Sequence, residues 1–283
     1  MRLSIAIVNW NTSKLLEACL RSIERFPPGF GCEIIVVDNA SADFNRTDFA
    51  REFPDIKLIV NPDNAGCARA NNQAIETAGG DYIMLLNPDT EVTEGAAEAL
   101  LEFMESHEEA AAAGPKLVRP DGEIDRSVRS FPTPGAIAWQ LLGLSRLFPR
   151  SRTFGAYRMT YFKYDTVAEV EQPMGSCLIL RRRAIDNVGL FDESFPIFFN
   201  DVDWLYRAKQ AGYKVYFTPA ATVVHHGAGS TSQAPGRKMT RESHESLLKF
   251  YAKHYKGSMF APVYYFAVAC IRVSKFLRAG LDG

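Results

Sequence analysis

Short apolar runs recur through the start of the chain, and each stops at Asn or Asp. Residues 3–8, 33–37, 57–60 and 82–86 end at Asn9, Asp38, Asn61 and Asn87. Between them the apolar spacing turns helical, at 14–26 through Leu15, Leu16, Cys19, Leu20 and Ile23, around 47–53, and at 65–78. Strands alternating with helices in this way predict an α/β fold whose sheet is mostly parallel and doubly wound, with helices on both faces. The carboxyl ends of such strands share one edge, where ligands collect. The polar stops therefore predict a binding edge.

The last of these runs is the sharpest. Tyr82-Ile83-Met84-Leu85-Leu86 enters Asn87-Pro88-Asp89-Thr90. Pro88 has no amide proton and restrains Asn87 to an extended conformation, so the strand stops there. Two readings fit the residues that follow. Asp89 binds a divalent cation that holds the diphosphate of a nucleotide sugar, or Asn-Pro-Asp-Thr is a turn leading to a helix cap, a role all four residue types favour. No G-x-G-x-x-G follows the first run and no P-loop occurs, which speaks against dinucleotide oxidoreductases and P-loop enzymes. Binding must then fall to side chains and a metal.

Further along, helices are expected at 94–107, 181–188 and from Asn200 to Gly212, and strands at 110–118, 170–180, 213–218 and 221–224. Asp201 and Asp203 sit at the start of the Asn200 helix. Two residues apart, they cannot share a face, so one can face a site while the other packs or pairs elsewhere. Asp201 has a bland alternative as an N-cap. His225 and His226 follow a strand and precede a small-residue loop.

The 283 residues are 47% hydrophobic and 23% charged, enough for a sizeable core. The net charge of −1 hides an asymmetry: residues 126–164 hold seven Lys or Arg and no acid, and 237–283 carry +6, leaving −14 elsewhere. Basic parts of this kind suit an anionic partner. The first of them surrounds an apolar stretch, 135–148, and the second contains an apolar helix, 258–279, broken by Arg272, Lys275 and Arg278. Both suit a membrane surface or a lipid-diphosphate substrate. They also suit core-packing or dimer helices. Five scattered cysteines without a C-x-x-C pair, and a first apolar run too short for a signal peptide, point to a reducing, cytoplasmic setting, and the two basic apolar segments to the inner face of the cell membrane. No nucleic-acid partner is expected.

Six motifs stand in a fixed order: Ile7-Val8-Asn9-Trp10-Asn11, Val36-Val37-Asp38-Asn39-Ala40-Ser41, Asn64-Ala65-Gly66, Leu86-Asn87-Pro88-Asp89-Thr90, Asn200-Asp201-Val202-Asp203 and His225-His226. Together they resemble the family-two glycosyltransferases of the GT-A fold, and within them bacterial rhamnosyltransferases, over roughly 1–232. The resemblance implies a glycosyltransferase domain at 1–232, with a nucleotide-sugar half at 1–118 and an acceptor half at 119–232, followed by a helical segment at 233–283.

It also implies roles. Asp38 reads the nucleobase, Asn9 and Trp10 line the base and ribose pocket, Asn39 belongs to the same binding set, and Asn64 and Arg69 contact the nucleotide sugar. Asp89 matches the last acid of the Asp-x-Asp metal motif, with Asn87 in place of the first. His225 completes the metal site, with His226 in reserve, and imidazole suits Mn²⁺ better than Mg²⁺. Asp201 is the catalytic base, removing the acceptor hydroxyl's proton. The implied reaction is inverting transfer of a sugar, L-rhamnose from dTDP-rhamnose, to a saccharide or lipid-linked acceptor. Rival readings are another hexose or N-acetylhexosamine, and an inactive nucleotide-sugar-binding scaffold at the membrane. A sugar nucleotidyltransferase is disfavoured, because Asn9-Trp10-Asn11-Thr12-Ser13-Lys14 stands where its Gly-rich basic loop would be.

Overall fold

The computed structural model describes residues 1–227 and 236–281, and side chains for all of these except Leu141 and 277–281. The chain opens β1 (Leu3–Asn9), α1 (Ser13–Arg25), β2 (Cys32–Asp38), α2 (Arg46–Glu52), β3 (Lys57–Val60), α3 (Cys67–Thr77) and β4 (Tyr82–Leu86). It continues through β5 (Thr90–Val92), α4 (Ala96–Ser106), β6 (Ala110–Val118), β7 (Val128–Arg129), α5 (Pro134–Leu141) and α6 (Leu144–Leu147). Then follow β8 (Ala168–Glu169), β9 (Gln172–Pro173), β10 (Cys177–Arg181), α7 (Arg182–Val188), α8 (Asn200–Gln210), β11 (Lys214–His225), α9 (Gly236–His254) and α10 (Ala261–Leu281).

One sheet of nine strands runs β3-β2-β1-β4-β10-β6-β11-β5, with β8 beside β11. The first four strands are parallel, as the sequence pattern requires, and their carboxyl ends line up: Asn9 lies opposite Asp38, and Asp38 opposite Val60. The second half is mixed. β10 enters antiparallel to both β4 and β6, because Ser176 turns the chain back along β4 from the edge where Asn87 ends it.

Side chains alternate between two cores. Leu3, Ile5, Ile7, Tyr82, Met84 and Leu86 face the layer of α1, α2 and α4, while Ala6, Ile83 and Leu85 face that of α3, α7 and α8. The second layer also takes in Phe250, Tyr251, Tyr255, Tyr264 and Ile271 of the two C-terminal helices and the residues leading out of α9.

Two expectations change. Asp89-Thr90 does not lead into a helix: Thr90 starts a three-residue strand whose partner is β11, paired Thr90 to His225. The runs 213–218 and 221–224 are one strand, β11, with an irregularity between Thr218 and Thr222. The expected loop after His226 and the 232/233 boundary lie outside the described residues.

Candidate active site

The first strand ends are tied into a buried polar network. Asn9, Asp38 and Asn39 are 0%, 1% and 2% exposed. The Asn9 amide donates to Asp38 Oδ1 at 2.8 Å, Ser41 N donates to Asp38 Oδ2 at 3.1 Å, and Thr12 Oγ1 donates to Asn9 Oδ1 at 2.8 Å. Asn39 donates to the Gly66 carbonyl at 3.2 Å and accepts from Asn61 at 2.8 Å. Asp38 is thus a hub that shapes this strand end, and its two oxygens keep lone pairs beyond those used. Trp10 is half-buried beside it.

Asn64 Oδ1 accepts from Gly66 N at 3.0 Å and sets the turn into α3. Gly66 has φ +86°, and a Cβ there would stand 3.1 Å from Pro196, so both backbone and space demand glycine. Arg69 is exposed on α3 and forms no ion pair among the described residues.

At the middle of the edge, Asn87 N donates to the Ser176 carbonyl at 2.8 Å, and the Asn87 side chain is exposed. Asp89 is 4% exposed. Its Oδ1 is buried without a hydrogen-bond partner, and its Oδ2 lies 3.6 Å from His225 Nε2. The pairing of β5 with β11 brings these two residues together, reinforced by His226 N donating to the Asp89 carbonyl at 2.9 Å. His225 Nδ1 is held 2.7 Å from Asp125 Oδ2, which sets the ring so that Nε2 faces Asp89. A carboxylate behind the imidazole is the usual support for a metal-binding histidine. The His226 ring turns instead to Glu91, at 2.7 Å. An orphaned buried carboxylate oxygen beside an imidazole nitrogen fits a divalent cation. Among the described residues no three His, Cys, Asp or Glu side chains converge on one point. Coordination beyond Asp89 and His225 would come from a donor's phosphates and water, as is common for such ions.

Asp201 stands in the first turn of α8. It is not the cap, a place Phe199 takes in a left-handed conformation at φ 71°. An aromatic residue rarely adopts that conformation, which costs about 1–3 kcal/mol and is found at functional sites. Packing against Phe250, with ring centroids 5.7 Å apart, holds it. Asp201 is half-buried, and Oδ1 accepts from Val202 N at 2.9 Å. Burial raises its pKa above the ordinary carboxylate range, against the pull of nearby backbone amides and the Arg129 charge. A Cβ on residue 175 would lie 2.8 Å from Asp201 Oδ2, so Gly175 lets the carboxylate lie against the backbone. Gly175 precedes Ser176, the partner of Asn87, and this links Asp201 to the Asp89 end of the edge. The Cys67 thiol at the start of α3 is pushed up to about 11, by burial and then by the Asp201 charge.

Asp203 takes the other side of α8 and is fully buried. It accepts from Arg207 Nε at 2.8 Å and from Lys253 Nζ at 2.7 Å, and lies 2.7 Å from His254 Nε2. Burial opposes its charge, but these three partners win and hold its pKa below the usual range. The pair thus divides as the spacing requires: Asp201 toward the strand-end edge, Asp203 clamping α9 onto α8. Asp125, Arg129, Gly175 and the strained Phe199 were invisible to motif reading. Only the acid-rich turn at 121–125 hinted at one of them.

The model of Glycosyl transferase family 2 matches residues 4–189. The chain is 30% identical to N-acetylglucosaminyl-diphospho-decaprenol L-rhamnosyltransferase of Mycobacterium tuberculosis, over 81% of this chain and 78% of that protein. It is 23% identical to the low-salt glycan biosynthesis hexosyltransferase Agl10 of Haloferax volcanii, over 79% and 66%. Among solved structures, residues 1–349 of S. aureus TarS superpose with a TM-score of 0.58 at 14% identity, covering 96% of this chain and 70% of that one. GalNAc-T7, solved with UDP, GalNAc and Mn²⁺, superposes with a TM-score of 0.61 at 15% identity, covering 89% and 48%. The fold is therefore GT-A, and the chain belongs to glycosyl transferase family 2 and is a glycosyltransferase.

Proposed function

We propose that the enzyme transfers L-rhamnose from dTDP-rhamnose, with inversion, to a saccharide carried on a lipid diphosphate in cell-surface glycan assembly, at the inner face of the cell membrane. The observation that carries the sugar and acceptor is the likeness to the mycobacterial rhamnosyltransferase over most of both chains. In this reading Asn9, Trp10, Asp38 and Asn39 form the nucleotide end, Asn64, Arg69 and Asn87 contact the donor, and Asp201 serves the acceptor. The acceptor oxygen attacks the anomeric carbon as the bond to the diphosphate breaks, and its proton passes to Asp201. A carboxylate whose basicity is raised by burial suits that transfer. Asp89 and His225 would hold Mn²⁺ or Mg²⁺, which when bound supplies charge neutralisation for the leaving diphosphate. Asp125 fixes the ring that offers Nε2.

The test is turnover of a panel of nucleotide sugars, with lipid-linked acceptor and either ion, by wild type and Asp201→Asn. Transfer from dTDP-rhamnose alone, with an inverted product linkage by NMR and a rate lowered roughly 10²–10⁴-fold in the variant, is expected. Preference for another sugar overturns the donor. Unchanged turnover in the variant overturns the base.

A further inference from the structure

Thirteen large hydrophobic side chains are exposed among the described residues, and nine of them lie on α5–α6, on α10 or at their ends. Phe276 is 80% exposed, Leu147 71% and Phe266 65%. α10 is apolar on two opposite faces. Tyr264, Ala267 and Ile271 are buried on the inner side, where Lys275 donates to Glu245 of α9 at 2.8 Å. Phe266, Ala269, Val273 and Phe276 recur at helical spacing on the outer side and face open solvent. α5 lies alongside, and the two helices enclose an apolar groove of about 220 Å³ lined by Ile137, Trp139, Val263, Phe266 and Cys270.

We propose that α5, α6 and α10 form one docking surface for an anionic lipid bilayer, with α10 lying in the interface and one hydrocarbon chain of the leaflet entering the groove. Charge selects this occupant. Residues 126–164 and 257–281 hold ten Lys or Arg and no acid; Arg129 belongs to the Asp201 site and Lys275 pairs with Glu245, while Arg146, Arg150 and Arg272 are exposed beside the apolar face. A second copy of the chain would bring the same charge to the same face, whereas anionic headgroups meet it. Aromatic side chains on a cationic helix mark residence in the interface, and among the described residues no helix is long and apolar enough to cross a membrane. The inference extends the membrane setting proposed above and does not depend on which sugar is moved.

The experiment is co-sedimentation of the full chain with vesicles of phosphatidylcholine alone or mixed with phosphatidylglycerol, without donor or acceptor. Binding to the mixed vesicles, weakened by salt, is expected. Phe266→Ser with Phe276→Ser, and separately Leu142→Ser with Leu147→Ser, should each weaken it at least about tenfold while the melting temperature holds. Unchanged binding in either double variant overturns the joint surface, as does no binding by the wild type. A dimer in light scattering that the α10 variant dissolves overturns it in favour of a second copy. A failed donor panel would leave the sedimentation result standing, so the two readings fail separately.

Discussion

Two carboxylates in the Asn200-Asp201-Val202-Asp203 motif meet opposite fates. Asp201 is raised in pKa by burial, so the fold favours its neutral form, and the ionised form that the proposed base role requires costs stability at neutral pH. Asp201→Asn should therefore melt at or above the wild-type temperature while losing activity, a combination a merely structural role would not give. Behind His225, Asp125 makes a further prediction. Asp125→Asn keeps the shape but removes the charge that supports the ring, and Mn²⁺ affinity measured by calorimetry with nucleoside diphosphate should fall about 10–100-fold. The strand end at Asn87-Pro88 singled out Asp89, and the family resemblance singled out His225 and Asp201; the structure brings Asp89 and His225 together. Motif reading missed Asp125 because its partner lies 100 residues away, and the acid-rich turn at 121–125 gives no sign of which residue it meets.

Element by element, legibility followed length. β1 to β4 were readable because each apolar run meets a polar stop or a proline. β5 has three residues and β8 two, too short to show any period. Yet β5 is what seats Asp89 against His225, so the Asn-Pro-Asp-Thr turn could not be told from a helix cap until its partner strand was known. α5 and α10 showed their apolar character but not that they lie together. α8 and α9 meet through Asp203. Asp203→Ala would leave His254 without its carboxylate, while Arg207 keeps the Val188 and Leu190 carbonyls and Lys253 keeps Asp192, so the cost is that of lost charge-assisted hydrogen bonds, about 1.5–3 kcal/mol. Urea denaturation should show that loss.

Over the whole molecule, the carboxylates that fasten the C-terminal helices are all acid-sensitive. Asp192 is pushed up by burial but pulled down to about 2 by Lys253 and Ser194, and Glu245 is held at about 2 by Lys275 and Arg241. Asp203 is depressed as well. Depressed carboxylates stabilise the fold above the ordinary carboxylate range, and that contribution is lost as pH falls through the folded-state values. The melting temperature should drop as pH falls from about 4 toward 2, with ellipticity from the C-terminal helices lost at the low end of that window.

The division of labour on α8 also bears on descent. The acid we assign to chemistry and the acid that holds the scaffold are two positions apart yet have no shared hydrogen-bond partner. A change of Asp201 to Asn relieves a buried charge and keeps the carbonyl that accepts from Val202 N. A change of Asp203 removes the clamp between α8 and α9. With Asp201 in the proposed base role, a catalytically silent paralogue that keeps the fold is one base-pair change away, and the surviving Asp203 would be the mark of its origin.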